Sequence, residues 1–154
     1  MLVCAGRGSD RRRIVQRLRA LGVSEDRYAT MIHPRAEIPA SCGVGRGSIL
    51  LAAVVLTADV RVGSHVVAMP NVTLTHDDVV EDYVTLCAGV SLGGAVRIGS
   101  GAYLGMNSSV REGLTVGQDA TLGMGSALVR TLPDQETWAG VPARPVHHTS
   151  EVEL

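Results

Sequence analysis

The chain has 154 residues, a formal net charge of −1, 45% hydrophobic residues, 3% aromatic ones and no Phe. That length fits about one domain, and the near-neutral charge leaves no electrostatic footprint for nucleic acid or an anionic membrane. No apolar run is long enough for a signal peptide or a bilayer-spanning helix. Cys4, Cys42 and Cys87 are odd in number and lack CxxC spacing, which favours a reducing, cytoplasmic setting.

In chain order, residues 2–5 (LVCA) predict a short strand, followed by the turn Gly6-Arg7-Gly8. Ser9 or Asp10 can cap a helix running to about Leu21, with Ile14, Val15, Leu18 and Leu21 on its apolar face and Gly22 as its stop. A second strand is expected near Tyr28 to Ile32. Residues 1–34 therefore read as a βαβ-like N-terminal segment. The glycine-flanked turn before the helix could hold an anion, but it completes no dinucleotide fingerprint and reads more readily as a plain strand–helix turn.

From Ile38 to Leu128 every sixth residue is a small aliphatic: Ile38, Val44, Leu50, Leu56, Val62, Ala68, Leu74, Val80, Leu86, Leu92, Ile98, Leu104, Val110, Val116, Leu122 and Leu128. Two residues before each stands another small or branched side chain, as at Val54, Val60, Val66, Val72, Val84, Val90 and Val96. A helix advances about 100° per residue, so a step of six would scatter these side chains over three faces. A strand puts i and i−2 on one side, so each hexad buries two side chains and then turns a corner. Hexads of this kind indicate a parallel β-helix, whose repeats bury their apolar faces only by stacking. Glycine often follows the aliphatic (Gly45, Gly63, Gly93, Gly99, Gly105, Gly117, Gly123), where a corner with positive φ is expected. The period lapses after Leu128, and Leu132-Pro133 to Pro145 reads as a closing coil. The β-helix domain is thus placed at 35–146, with 147–154 a flexible tail. The N-terminal segment can cover strand edges that an open coil end would leave bare.

One stretch departs chemically from the repeat: Thr75-His76-Asp77-Asp78-Val79-Val80-Glu81-Asp82. Asp78 takes an inward slot that is apolar or small elsewhere. His76 falls at a corner, with the small residues Ala58 and Gly94 one coil away on either side. An exposed imidazole beside a carboxylate suits general-base work near neutral pH, with Asp77 fixing the tautomer. A solvated acidic corner with an incidental histidine is the competing reading. A metal set of His76 with Asp77, Asp78 or Glu81 is weaker, since adjacent strand residues point to opposite sides. A Cys87–His76 dyad is weaker too, because eleven residues do not stack.

The ordered set Ile32-His33-Pro34, His76-Asp77, Leu92-Gly93-Gly94-Ala95-Val96-Arg97-Ile98-Gly99, Gly101 to Ser108, Leu122-Gly123-Met124-Gly125-Ser126 and Gly140-Val141-Pro142-Ala143-Arg144 resembles the sialic acid O-acetyltransferase and bacterial sugar N-acetyltransferase family. The likeness spans about the last three quarters of the chain. It implies a three-sided, left-handed β-helix, acetyl-CoA as co-substrate, a sugar-like acceptor, no metal, and a homotrimer with sites between subunits. His76 would be the general base, oriented by Asp77, for direct attack on the thioester. Gly94 would supply an oxyanion donor, and Thr85, Gly105, Met106, Gly123, Met124 and Arg144 would contact the coenzyme. Many relatives carry a second histidine where Thr85 stands and Asn where Ala95 stands. The family's N-terminal domain is expected here in truncated form, which leaves open a catalytically idle trimeric scaffold or regulatory subunit.

Overall fold

The computed structural model describes residues 1–146; the tail expected over 147–154 lies outside them. From Gly43–Val44 to Ala127–Leu128 the chain advances in two-residue strands separated by four-residue corners, and Met31–Ile32 is the strand before them. Each strand pairs in parallel with the one 18 residues on, as Ile49↔Val67, Val67↔Thr85 and Tyr103↔Thr121. The result is three walls, one sheet of eight strands and two of five, wound as a left-handed parallel β-helix. Parallel neighbours normally need a helical crossover. Here the coil itself makes the crossover, because each strand is too short to need one.

The aliphatics of the hexad and those two places earlier fill the prism. Leu50, Val54, Leu56, Val60, Leu74, Val84, Leu86, Val90, Ile98, Leu104 and Leu122 are all buried in one continuous core. Stacking identical phases of the repeat packs methyl on methyl, so the core closes without a large aromatic.

The corners revise one expectation. The left-handed residue falls three places after the aliphatic, at Ala53, Asp59, His65, Asn71, Asp77, Tyr83, Ala95, Asn107 and Asp119 as well as at Gly47, Gly89 and Gly101. The glycines directly after the aliphatics serve another purpose. A Cβ on Gly105 would sit 2.5 Å from the Met124 nitrogen, and one on Gly93 would sit 2.6 Å from that of Glu112. Close approach between coils, not positive φ, demands glycine there.

At the N-terminus, residues 1–5 form no strand, and the helix is Gly8–Ala20, with Arg7 at the cap position two residues before Ser9 and no side-chain cap. Gly22 ends it with φ of +85°, Val23 N–H donating back to Leu18 O at 3.0 Å. Val15 is buried and Leu18 half-buried against Tyr28 and Tyr83, but Ile14 and Leu21 face outward. The second expected strand shortens to Met31–Ile32 and pairs with Ile49–Leu50 as the first rung of the eight-stranded wall.

The helix is fastened to that wall by Arg11, which is fully buried. Its Nε donates to His65 O at 2.8 Å, Nη1 to Ala5 O and Gly6 O, and Nη2 to Tyr83 O, Val84 O and Thr85 Oγ1. Burial without a carboxylate lowers the guanidinium to about 10, so it stays charged at neutral pH. Arg11 lies four residues before Val15 and seven before Leu18, within the helix's buried stripe. That spacing was legible, though a run of three arginines reads first as a solvated face.

Candidate active site

His76 stands at the corner joining the two five-stranded walls, after Thr73–Leu74 and before Val79–Val80. Its side chain is 65% exposed, and Nδ1 lies 2.8 Å from Asp77 Oδ2. Asp77 has φ of +61°, and its N–H donates to Ala58 O one coil below. A carboxylate on Nδ1 keeps the neutral ring's proton there and leaves Nε2 as an acceptor.

One coil above, Gly94 lies directly against the ring. A Cβ on Gly94 would overlap His76 Nε2, Cε1 and Cδ2. Ala95 N–H donates to His76 O at 2.8 Å, tying the two corners together. At the same corner phase, the N–H groups of Ser64, Ser100 and Gln118 donate to the carboxylates of Asp82, Glu81 and Asp134. The Gly94 N–H has no acceptor among the described residues, as is also true of the N–H groups of Ala58, Ala88, Met106 and Glu112 at this phase.

Asp78 is fully buried behind this corner. Its carboxylate accepts from Val96 N–H at 2.9 Å and from Thr75 N–H at 2.8 Å. Burial raises the group to about 6, against the pull of those two donors.

The other expected contacts lie elsewhere in the chain. Gly105, Met106, Gly123 and Met124 line a second corner, between the eight-stranded wall and one five-stranded wall. There Met106 and Met124 are 46% and 66% exposed, and Gly125 N–H donates to Met106 O. Arg144 is exposed on the closing hairpin, paired with Ala139. Thr85 does not reach a surface at all: it is fully buried under the N-terminal segment, where Oγ1 donates to Gly6 O and accepts from Arg11. Cys87 is buried in that same wall, away from His76. One chain thus unites His76, Asp77 and Gly94, and holds the methionine corner apart from them.

The Gly6-Arg7-Gly8 turn packs closely on the eight-stranded wall. A Cβ on Gly8 would overlap Tyr83 O, and Arg7 lies 5.6 Å over the Tyr103 ring.

A three-walled hexapeptide coil with an outward His–Asp pair at one corner defines a left-handed β-helix acyltransferase. No protein-family profile matches the chain. Among solved structures, the acetyltransferase domain of PglB from Neisseria gonorrhoeae FA1090 superposes with a TM-score of 0.87 at 31% identity, covering 94% of this chain and 69% of that one. PerB from Caulobacter crescentus, solved with CoA and GDP-perosamine, gives 0.89 at 30% identity, covering 95% and 69%. WeeI from Acinetobacter baumannii AYE gives 0.78 at 26%, covering 94% and 69%. The chain belongs to this family of bacterial sugar N-acetyltransferases.

Proposed function

We propose that the protein transfers an acetyl group from acetyl-CoA to an amine of a nucleotide-linked sugar, with a hydroxyl as the other acceptor class. The contact of His76 with Asp77 on one side and Gly94 on the other carries this reading. PerB is solved with CoA and GDP-perosamine, and the PglB domain with acetyl coenzyme A, which supports the same pair of substrates here.

His76 Nε2 takes the acceptor's proton as the nitrogen attacks the thioester carbonyl carbon. The Gly94 N–H donates to the oxyanion that forms. The intermediate collapses by breaking C–S, and Nε2 passes its proton to the leaving sulfur, so that CoA departs as the thiol and His76 is again neutral. Asp77 holds the ring in the tautomer that makes Nε2 the base and balances the charge of the imidazolium. A catalytically idle scaffold has no use for an outward His–Asp pair set against an open N–H.

The coenzyme runs past Gly105, Met106, Gly123 and Met124, with Arg144 meeting a phosphate. Since that corner and the His76 corner belong to different edges of one prism, the complete site forms between subunits of a homotrimer. Three free thiols, at Cys4, Cys42 and Cys87, fit a reducing cytoplasm, where acetyl-CoA is made.

The test is release of free CoA thiol from acetyl-CoA with GDP-perosamine and with UDP-linked 4-amino sugars. Wild type should turn over at least one of them, and His76→Ala should lose about 100-fold or more in kcat. Full turnover by the variant would remove His76 as the base.

A further inference from the structure

On the wall that leads to His76, the ladder between the described coils is regular except at one rung. Thr57 N–H donates to Leu74 O, Gly93 N–H to Val110 O and Arg111 N–H to Leu128 O. Thr75 should donate likewise to Leu92 O, but its N–H turns inward to Asp78 Oδ2, and Thr75 Oγ1 takes Leu92 O at 3.1 Å instead. Only Ser91↔Thr73 survives of that strand pairing, where the parallel neighbours on either side keep two pairs. The missing rung is the one immediately before His76.

The corner above is altered by the same side chain. Interior N–H groups at Val90, Ala102, Ser108 and Ala120 donate to the carbonyl three residues back. Val96 N–H donates instead to Asp78 Oδ1, in the corner that carries Gly94 and Ala95. Local breaks in a ladder commonly re-aim side chains beside active sites.

Nothing in the fold requires a carboxylate in this slot. Its neighbours one coil below and above are Val60 and Val96, both fully buried. Where an inward acceptor is needed elsewhere, serine serves: Ser48 Oγ accepts from Val66 N–H at 2.9 Å, the same 18-residue relation as Asp78 to Val96. The charged groups acting on Asp78 are His76 and Asp77, on its own corner.

We propose that Asp78 is a positioning residue for acyl transfer: its carboxylate ties the backbone entering His76 to the backbone leaving Gly94, and so sets the imidazole against the Gly94 peptide. This rests on the reading of His76 as the base. Replacing Asp78 by valine lets Thr75 and Val96 return to the ordinary bonds of the repeat, so the coil stays folded while the ring is re-aimed.

The test compares wild type, Asp78→Val and Asp78→Ser as full chains. Thiol release is followed with acetyl-CoA and GDP-perosamine or UDP-linked 4-amino sugars. A nuclear Overhauser contact between the His76 ring protons and the Gly94 Hα is read in the protein alone. Asp78→Val should keep or raise Tm, hold KM for acetyl-CoA within about twofold and lose about tenfold or more in kcat, with the ring contact weakened. Asp78→Ser keeps one acceptor and should recover part of kcat and of the contact. A ring contact unchanged in both variants overturns the proposal, as does a kcat loss that merely tracks a fall in Tm. If wild type acetylates no sugar, the acetyl-transfer reading fails and the catalytic role of Asp78 with it, and a contact that still depends on Asp78 then shows only that the carboxylate sets the ring.

Discussion

At the scale of single residues, an ionised carboxylate inside an apolar prism should carry a measurable cost. Asp78 is raised by burial from 3.8 to about 6, so between those values the folded protein keeps a proton that the unfolded chain has lost. Its contribution to stability therefore falls as pH rises through that window, and above about pH 6 the deficit is constant, on the order of 3 kcal/mol. Urea unfolding of wild type and Asp78→Val across about pH 4 to 8 isolates the residue. The variant's advantage should grow from pH 4 to 6 and then level off. An advantage that shrinks with rising pH would mean that Thr75 and Val96 more than offset the burial. The inward slot of Asp78 was legible in the repeat, because its phase matches Val60 and Val96. The bonds it makes were not, since hexad spacing says where a side chain points and nothing of which N–H groups abandon the ladder. His76-Asp77 was legible for the opposite reason: a corner exposes its residues, and small neighbours one coil away mark the open space.

Among elements, the helix Gly8–Ala20 depends on one side chain more than on its apolar face. Val15 and Leu18 supply a small contact, whereas Arg11 satisfies carbonyls from both the N-terminal segment and the wall. Arg11→Met keeps the length and leaves those carbonyls without their donors, a loss of about 3 kcal/mol in the docking of this segment. Amide exchange should rise across residues 8–28 while the coil from Val54 to Leu122 stays protected. Uniform loss of protection would instead make helix and coil one cooperative unit. The walls could be read directly from the sequence, since a strict six-residue period admits no other buried geometry. The corners could not. Closure of the coil forces Ala53, His65, Tyr83 and Ala95 into left-handed backbone that local propensity disfavours. The expected strand at 2–5 fails for a related reason: an extended apolar segment needs a partner edge, and the wall's first rung is already taken by Met31–Ile32.

For the whole molecule, the proposed site requires a neighbour. His76, Asp77 and Gly94 occupy the corner between the two five-stranded walls, and Met106 with Met124 the corner between the eight-stranded wall and one of them. In a closed ring of three, each seam takes one corner of each kind from adjacent protomers. Two variants, each disabling one corner, should then restore each other. His76→Ala lacks the base at every seam, and Met124→Arg blocks the opposite side of every seam with a bulky charge. Co-expressed with different tags and purified through both, they assemble mixed rings. A seam regains both intact corners when a Met124→Arg protomer presents its His76 to a His76→Ala protomer. Any ring of three that carries both tags has one such seam in three, so the mixture should recover about a third of the wild-type rate while each pure variant stays inactive. Light scattering on the same samples should give three times the chain mass. A mixture as inactive as its parents, in rings shown to contain both tags, would place the coenzyme and the base on a single chain.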